Sequence, residues 1–530
     1  MINFISSRRI DASKLVLTAV FISFVLIPFL RMVFNITMDD VTGLISSSTF
    51  VPALKNSLLS ASIGTFISVT IGLLLALCVQ RTNISFKEIL SVLLLIPILI
   101  PSLSHGMGLI VLFGTNGVIT NFFGLDSTIY GFKGVILGAI LYSYPVAFLM
   151  LNDVLKYEDS SPYEAAKVLG IPRFKQIKDI TIPYLKRPLI SAVFAVFTLI
   201  ITDYGVPMMI GGKTITLAVL MYQEVLGQLD FGKGSVVGLF LLIPALITFT
   251  FNVLLKGKAK ATYITKQFRV KSDFLVDTIS YVFCGFIVLS IFALIGSFLL
   301  YAFSAKYPNN LTFTFANVYK MFKLNGGRYL LNSVIIACVV SCVGIVMSFL
   351  TAYLTTRLPS KMSNVLHLFS ITSLAIPGMV LGLSYSMTFG GTYIYGTIIV
   401  LILANIVHFF ASPYLMIYNS LSKMNENLES VGKTLGIRRL RIITAVIIPQ
   451  CKTTIFEMFS YFFVNSMMTI SAVSFLANAS TKPVSLLINQ FEAQMQMECA
   501  AVVSLIILVV NMFVKFTVYF VNRYNLKNFK

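Results

Sequence analysis

The chain is 530 residues long, with 57% of its residues in the hydrophobic set and 11% charged, and its mean hydropathy is +0.89. An ordinary soluble chain carries about 25% charged residues, and a globule this apolar could not cover its own surface, which excludes a soluble protein and leaves an integral membrane protein. A net charge of +20 would suggest nucleic acid as a partner of a soluble protein, so the question becomes which side of the bilayer holds the excess.

Taken in chain order, Arg8, Arg9 and Lys14 precede an apolar run at 15–30 with no small-x-small pattern behind it. That run is read as a retained first span rather than a removed signal peptide. Further apolar segments follow at about 57–80, 89–113, 134–152, 188–210 and 235–255, then at 276–303, 331–356, 364–389, 396–419, 454–476 and 500–521. At about 20 apolar residues per crossing these are twelve spans. With the N-terminus inside, the cytoplasmic segments hold 29 Lys and Arg against 10 on the outer ones, with Lys515 near a span end. The bias places both termini and the basic stretch 256–273 in the cytoplasm. The positive charge is then a topology signal, the surroundings are a lipid bilayer, and nucleic acid is dropped as a partner. The six cysteines show no CxxC pair and no matching His spacing, so they indicate neither a metal site nor a disulfide framework.

An internal repeat organises the chain. Asn56-Ser57 opens a helix running to Arg81, and Asn332-Ser333 opens one running to Arg357, at an offset of 276. The same offset links Pro101 with Pro377 and Gly106 with Gly382, while Gly170 and Pro183 match Gly436 and Pro449 at 266. The expected fold is an all-α membrane protein of about twelve helices in two parallel six-helix repeats, 1–255 and 274–530, joined by the linker 256–273.

The best-matched repeat lies in the two longest cytoplasmic loops. The first reads Tyr163-Glu164-Ala165-Ala166-Lys167-Val168-Leu169-Gly170, then twelve residues and Pro183; the second reads Ser430-Val431-Gly432-Lys433-Thr434-Leu435-Gly436, twelve residues and Pro449. Each predicts a short helix closed by a glycine suited to a C-cap, and two turns of helix are not stable alone in water. A solvated basic connector is the plainer reading of one such loop, but two in equivalent positions argue against it.

These residues resemble the EAA loop of permease subunits of bacterial ABC importers, a motif of EAA, three residues, G, a nine-residue stretch and I-x-LP. The matching positions are Glu164, Ala165, Ala166, Gly170, Ile180, Ile182 and Pro183, then Leu435, Gly436, Ile448 and Pro449, with Ser430 at the motif's Glu and Gly432 at its second Ala. The resemblance implies the type I importer permease fold, with each loop forming a coupling helix on a cytoplasmic ABC ATPase dimer and an extracytoplasmic solute-binding protein delivering the solute. It also implies that ATP and Mg are bound by the ATPase and that this chain binds no cofactor. In keeping with this, the nearest approach to a phosphate loop, Gly211-Gly212-Lys213-Thr214, has Pro207 where the first glycine is needed. The fusion of two permease halves, together with Phe463-Val464-Asn465-Ser466-Met467 and the run Ile470-Ser471-Ala472-Val473-Ser474-Phe475-Leu476, resembles the ferric-iron, 2-aminoethylphosphonate and thiamine import group. Ferric iron is the expected solute, with 2-aminoethylphosphonate or thiamine as alternatives.

Polar groups inside spans are costly unless they face a cavity or a partner helix, which makes them candidates for the route. They are Pro101, Ser104, His105, Asp203 and Tyr204 in the first half and Pro377, Ser384, Asn465, Ser466 and Thr469 in the second. Helix packing is the competing reading for the small residues, and His105 is expected to be a hydrogen-bonded interior histidine. No metal site is expected within the membrane. A secondary transporter also favours twelve spans, but it would concentrate ionisable groups at mid-membrane. A membrane enzyme would need a nucleophile, base or metal set that this sequence lacks.

Overall fold

The computed structural model describes residues 2–124, 129–255 and 273–528, so the expected linker lies, apart from Asp273, outside the described residues. Among these, nine helices are long and apolar enough to cross a membrane, or twelve if three bent pairs each count as one span. The first half contributes Asp11–Phe34, Phe50–Arg81, Ser102–Phe123, Phe132–Lys156, Phe174–Ile201 and Phe231–Phe251; the second contributes Phe274–Phe303, Gly326–Thr356 and Met497–Tyr524 together with the bent pairs. A small antiparallel hairpin of Ser304–Lys306 and Asn310–Phe313 is added to the helices.

Proline explains where the expected spans depart from single helices. The segments 89–113 and 364–389 are broken. Lys87–Leu94 passes through the 3-10 turn Ile96–Leu99 to Pro101, which caps Ser102–Phe113. In the second half Lys361–Ala375 and Gly378–Phe389 meet at 106° across Pro377. Proline lacks an N–H and pushes the residue before it into an extended conformation; Ile100 and Ile376 take ψ of 136° and 112°. The segment 396–419 bends by 51° between Phe409 and Ala411, where Pro413 cannot donate back to the preceding turn. The segments 188–210 and 454–476 start earlier and stop sooner than expected, their last helical residues being Ile201 and Met468. Each is preceded by a π-helical turn, Ile177–Thr181 or Ile443–Ile447, and each turn is followed by Ile-Pro. The N–H missing at Pro183 and Pro449 leaves a carbonyl unpaired one turn back, and a shift to wider i→i+5 pairing absorbs the mismatch.

The two halves are not separate bundles, because each sends its first helix onto the other. Lys14 donates to Leu358 O at 2.6 Å and Ser360 Oγ at 2.8 Å, Phe21 packs edge-on against Phe410 with centroids 4.9 Å apart, and Tyr385 donates to Phe24 O at 2.7 Å. In return, Asp277 accepts from Asn83 N at 2.9 Å and the Tyr281 hydroxyl accepts from Ser85 N at 2.7 Å.

The repeated Asn-Ser pair has a structural task. Asn56 Nδ2 donates to Ile215 O at 3.0 Å, and Ser57 Oγ accepts from Leu217 N at 2.7 Å. Asn332 Nδ2 donates to Ser480 O at 3.1 Å, and Ser333 Oγ accepts from Val484 N at 2.7 Å. Both pairs satisfy backbone groups at the entry to a short helix, Leu217–Tyr222 or Leu486–Ala493, beside the long helix, where an unmet buried group costs about 1–3 kcal/mol. These matched bonds set the register of the two halves in this region at an offset of 267.

A second correspondence is reciprocal. In the first half Ser102 lies against Gly205, and a Cβ on Gly205 would collide with Ser102 Oγ; in the second half Gly378 lies against Ser471, and a Cβ on Gly378 would fall 2.5 Å from Ser471 Oγ. The crossing holds one side chain, supplied by opposite partners in the two halves. Gly378→Ser is therefore expected to destabilise by about 1–3 kcal/mol through overpacking, and Gly378→Ser/Ser471→Gly to recover most of the loss. Thermal unfolding of the purified chain in detergent measures both; equal destabilisation by the single and double variants contradicts this reading.

Candidate functional site

The two matched loops fold as short helices, Ser161–Val168 and Leu428–Thr434, at one end of the bundle. Both close in the same way. Gly170 and Gly436 take φ of +67° and +69°. Ile171 N donates to Ala166 O at 2.9 Å and Gly170 N to Lys167 O at 3.1 Å; Ile437 N donates to Gly432 O at 2.8 Å and Gly436 N to Lys433 O at 3.2 Å. This is the paired Schellman closure, in which the left-handed residue is glycine because a Cβ is penalised there.

Each helix is anchored on one small residue and leaves its larger apolar side chains outward. Ala166 is buried, and Gly432 is buried where a Cβ would collide with Ile442. Glu164, Ala165, Ser430 and Val431 are exposed, and Glu164 Oε1 accepts from Ser160 Oγ at 3.4 Å. Val168 and Leu169 are 88% and 75% exposed, Leu435 is 69% exposed, and Phe174 and Leu440 just beyond are 80% and 72% exposed. A two-turn helix that buries one methyl-sized contact and presents this much apolar surface has little of its own to hold it in place.

What holds the helices in place was only half visible in the sequence. In the first half Arg81 pairs with Glu158; the Tyr163 hydroxyl donates to Glu158 Oε1 at 2.5 Å and lies 2.8 Å from Thr181 Oγ1, while the Arg81 guanidinium sits 4.7 Å from the Tyr163 ring centroid. In the second half Arg357 grips Glu429 with two bonds, Nε to Oε1 at 2.9 Å and Nη2 to Oε2 at 2.5 Å, and also donates to Met424 O and Asn425 O. Tyr163 and Glu429 stand at equivalent places, seven residues before Gly170 and Gly436. The carboxylate missing at Ser430 is thus present one residue earlier, where it ties the loop to the membrane helix rather than facing outward.

The two tethers differ in electrostatics. Burial holds the Glu158 carboxyl above the usual carboxylate range, against the pull of Tyr163 and Arg81. Burial acts on Glu429 in the same direction and is the largest single influence, but the Arg357 hydrogen bonds and charge, together with a backbone hydrogen bond and the Tyr353 hydroxyl, outweigh it and hold that carboxyl below its usual range. The stabilisation from Glu429 is therefore complete above the ordinary glutamate pKa and is lost only as pH falls through its depressed value. Glu158 takes up its proton above the ordinary glutamate range, so the folded state holds that proton more tightly than the unfolded one, and acidification through this window does not weaken the first loop. Hydrogen exchange followed on acidification is expected to loosen the second loop, as the Glu429 carboxyl is protonated, before the first; loosening of the first loop ahead of the second contradicts this assignment.

The other expected site residues are dispersed. Ser104 Oγ lies 2.7 Å from Ser504 Oγ of the other half, and His105 Nδ1 lies 3.2 Å from Pro101 O, so His105 is the hydrogen-bonded interior histidine expected. Asp203, a candidate for the route, accepts from Gly205 N at 3.3 Å and Val206 N at 3.0 Å at the start of the short helix Gly205–Ile210. Ser384 and Asn465 donate within their own helices, to Leu381 O and Tyr461 O. Ser466 is buried, and Thr469 O accepts from Ser485 at 2.7 Å. Tyr204, like Ser104, reaches side chains of the other half, here Ser474 and Asn489. The segment Gly211-Gly212-Lys213-Thr214 forms a turn at the end of the bundle opposite the two short helices, with Thr214 N donating to Gly211 O at 2.8 Å.

Comparison with known proteins follows this two-fold arrangement. Residues 68–261 and 344–524 each match the family model described as "Binding-protein-dependent transport system inner membrane component". The chain is 26% identical over 461 residues to the ferric transport system permease protein FbpB of Actinobacillus pleuropneumoniae, covering 84% of this chain and 67% of that one. It is 26% identical over 499 residues to the putative ferric transport system permease protein FbpB 1 of Haemophilus influenzae, covering 90% and 79%. The molybdenum transport system permease protein ModB of Azotobacter vinelandii is 25% identical over 224 residues, covering 41% of this chain and 94% of ModB. With two family domains in one polypeptide and a bundle of apolar helices around them, this chain belongs to the family of inner-membrane components of binding-protein-dependent transport systems, as a fused two-permease member.

Proposed function

We propose that the chain is the transmembrane permease subunit of an ATP-driven importer of ferric iron. The solute is delivered by an external binding protein, and ATP is hydrolysed by a separate ABC ATPase dimer seated on Ser161–Val168 and Leu428–Thr434. The observation that carries this reading is the pair of glycine-closed helices with outward apolar faces, each tied by an arginine to a membrane helix. A movement of the ATPase reaches the spans through those ties. The short-helix end, both termini and 256–273 then face the cytoplasm, which agrees with the 29 to 10 distribution of Lys and Arg. ATP and Mg belong to the ATPase, and this chain carries no nucleotide of its own. Ferric iron is favoured over other solutes because the two relatives that match most of the chain are named for it, whereas the molybdenum permease matches about half.

Co-expression of the chain with its candidate ATPase and binding protein in iron-uptake-deficient cells tests the reading. Uptake of labelled ferric iron that requires all three components is the expected result. ATP turnover by the isolated chain, or component-dependent uptake of molybdate, sulfate or 2-aminoethylphosphonate in place of iron, contradicts it.

A further inference from the structure

The apolar outer face of the span Phe274–Phe303 continues past the end of its helix. Val282, Phe286, Leu289, Phe292 and Leu299 are exposed, and a Cβ on Gly296 would meet open space. Steps of three and four residues set them on one stripe, and an exposed apolar stripe along a membrane span is the face that lipid covers. Four residues after Leu299 the stripe reaches Phe303, at the end of the bundle opposite the two short helices. Its ring stacks on Phe313 of the hairpin with centroids 5.5 Å apart and planes 16° apart, and meets Phe315 edge-on at 5.5 Å. Phe315, Tyr319 and Phe322, all exposed, then follow at i, i+4 and i+7 on the helix Ala316–Lys323 and its N-cap, so the same surface is carried onward.

This helix is fixed so that the aromatic side stays outward. Asn317 is buried, and its Nδ2 donates to Ala302 O at 3.1 Å and Ser304 O at 2.7 Å; Thr314 N donates to Phe303 O at 2.8 Å, and Met321 is fully buried. The inner side is thereby taken up by the end of the span. The Tyr307 hydroxyl ties the hairpin to Asn116 O at 2.6 Å, beside the short helix Val118–Phe123, whose Phe122 and Phe123 are exposed as well.

Charge indicates what covers this face. Lys306, Lys320, Lys323 and Arg328 are four of the ten cations on the outer segments, and residues 304–328 contain no Asp or Glu. The inside-positive bias does not account for cations at this end. Nor does the place in the fold demand them, because the short helix that precedes the long helix of the first half, Met38–Ile45, carries Asp39 and Asp40 and no cation. An aromatic stripe flanked by lysines matches the layer where acyl chains meet phosphates. Its continuity with the lipid-covered stripe of the span favours lipid over a soluble protein, which would need a face turned away from the bilayer.

Resting on the orientation proposed above, we propose that residues 304–323 form a binding surface for anionic phospholipid in the outer leaflet. Phe313, Phe315, Tyr319 and Phe322 lie at the acyl boundary, and Lys320 and Lys323 pair with the headgroup phosphates.

The chain contains no tryptophan, so Tyr319→Trp gives the full chain a single indole whose surroundings can be read by fluorescence. In vesicles of phosphatidylcholine and phosphatidylglycerol with brominated acyl chains, Tyr319→Trp is expected to lose about half of its emission or more. Lys213→Trp, at an exposed position in the turn 211–214 of the same end, is expected to keep nearly all of its emission. With bromine confined to one lipid, phosphatidylglycerol is expected to be favoured about fivefold as the quencher, and Lys320→Gln/Lys323→Gln to bring that preference within about twofold of none. Quenching of Tyr319→Trp no greater than that of Lys213→Trp overturns the lipid surface. Emission that is unquenched by lipid and shifts on addition of the solute-binding protein assigns the face to that protein, which also overturns it. Equal quenching by the two lipids with both lysines present leaves an aromatic anchor without headgroup recognition and overturns the anionic site. Lys213→Cys labelled by a membrane-impermeant maleimide only in inside-out vesicles overturns the orientation, and the outer-leaflet placement with it; this failure is read independently of the quenching.

Discussion

Gly170→Asp and Gly436→Asp are each expected to abolish transport while leaving the chain in the membrane. Both glycines sit at φ near +70° with open space where a Cβ would project, so the penalty is conformational rather than steric. It amounts to about 1 kcal/mol for the side chain, and an added negative charge at a helix C-terminus opposes the helix dipole. The sum is small against the stability of a whole membrane bundle. It falls, however, on a two-turn helix whose remaining internal support is one buried small residue and its cap. The Schellman bonds from Ile171 to Ala166 and from Ile437 to Gly432 are lost together, and Leu169 and Leu435 no longer point outward from a fixed helix. Transport assays with co-purification of the ATPase measure the effect. Normal transport and a retained ATPase in both variants contradict the coupling role and reduce these loops to basic connectors.

Arg357→Ala is expected to act on the same machinery from the membrane side. The guanidinium is almost completely enclosed and serves Glu429 and two loop carbonyls at once. Removing one partner of a buried pair costs about 3–5 kcal/mol, because the remaining charge is stranded. The second loop should detach and transport fall to background. Arg357→Lys should rescue poorly, since an ammonium cannot make the two parallel bonds, while Arg357→Ala/Glu429→Gln should recover part of the loss. Ser430→Ala, at an exposed position whose side chain ties down nothing, should be mild. Protease accessibility of the loop read beside transport checks the order; an Arg357→Ala variant with a protected loop and full transport contradicts the tether.

Much of this was legible because the chain repeats the same residue for the same task. Asn56-Ser57 and Asn332-Ser333 satisfy equivalent backbone groups, and Gly170 and Gly436 take equivalent left-handed turns. What escaped the sequence is compensation, where one task is met by different residues. Ser102 against Gly205 becomes Gly378 against Ser471, a trade seen only once the two segments are known to touch. Glu158 with Tyr163 becomes Glu429 alone, so aligning Ser430 with Glu164 suggests a missing charge that has moved by one residue. The exchange of first helices between halves was hidden for another reason: a hydrophobic run records that it is buried or faces lipid, not which half it lies against.

The claim on which the rest depends is that both short helices are received by an ATPase. A photo-reactive side chain placed at position 169 in one variant and at 435 in another, irradiated in native membranes, tests it directly. Both variants are expected to form a cross-link to the ATPase subunit, whereas the same probe at position 212, in the turn at the opposite end of the bundle, is expected to form none. Cross-links from neither 169 nor 435 in membranes that contain the assembled, transporting complex would contradict the account.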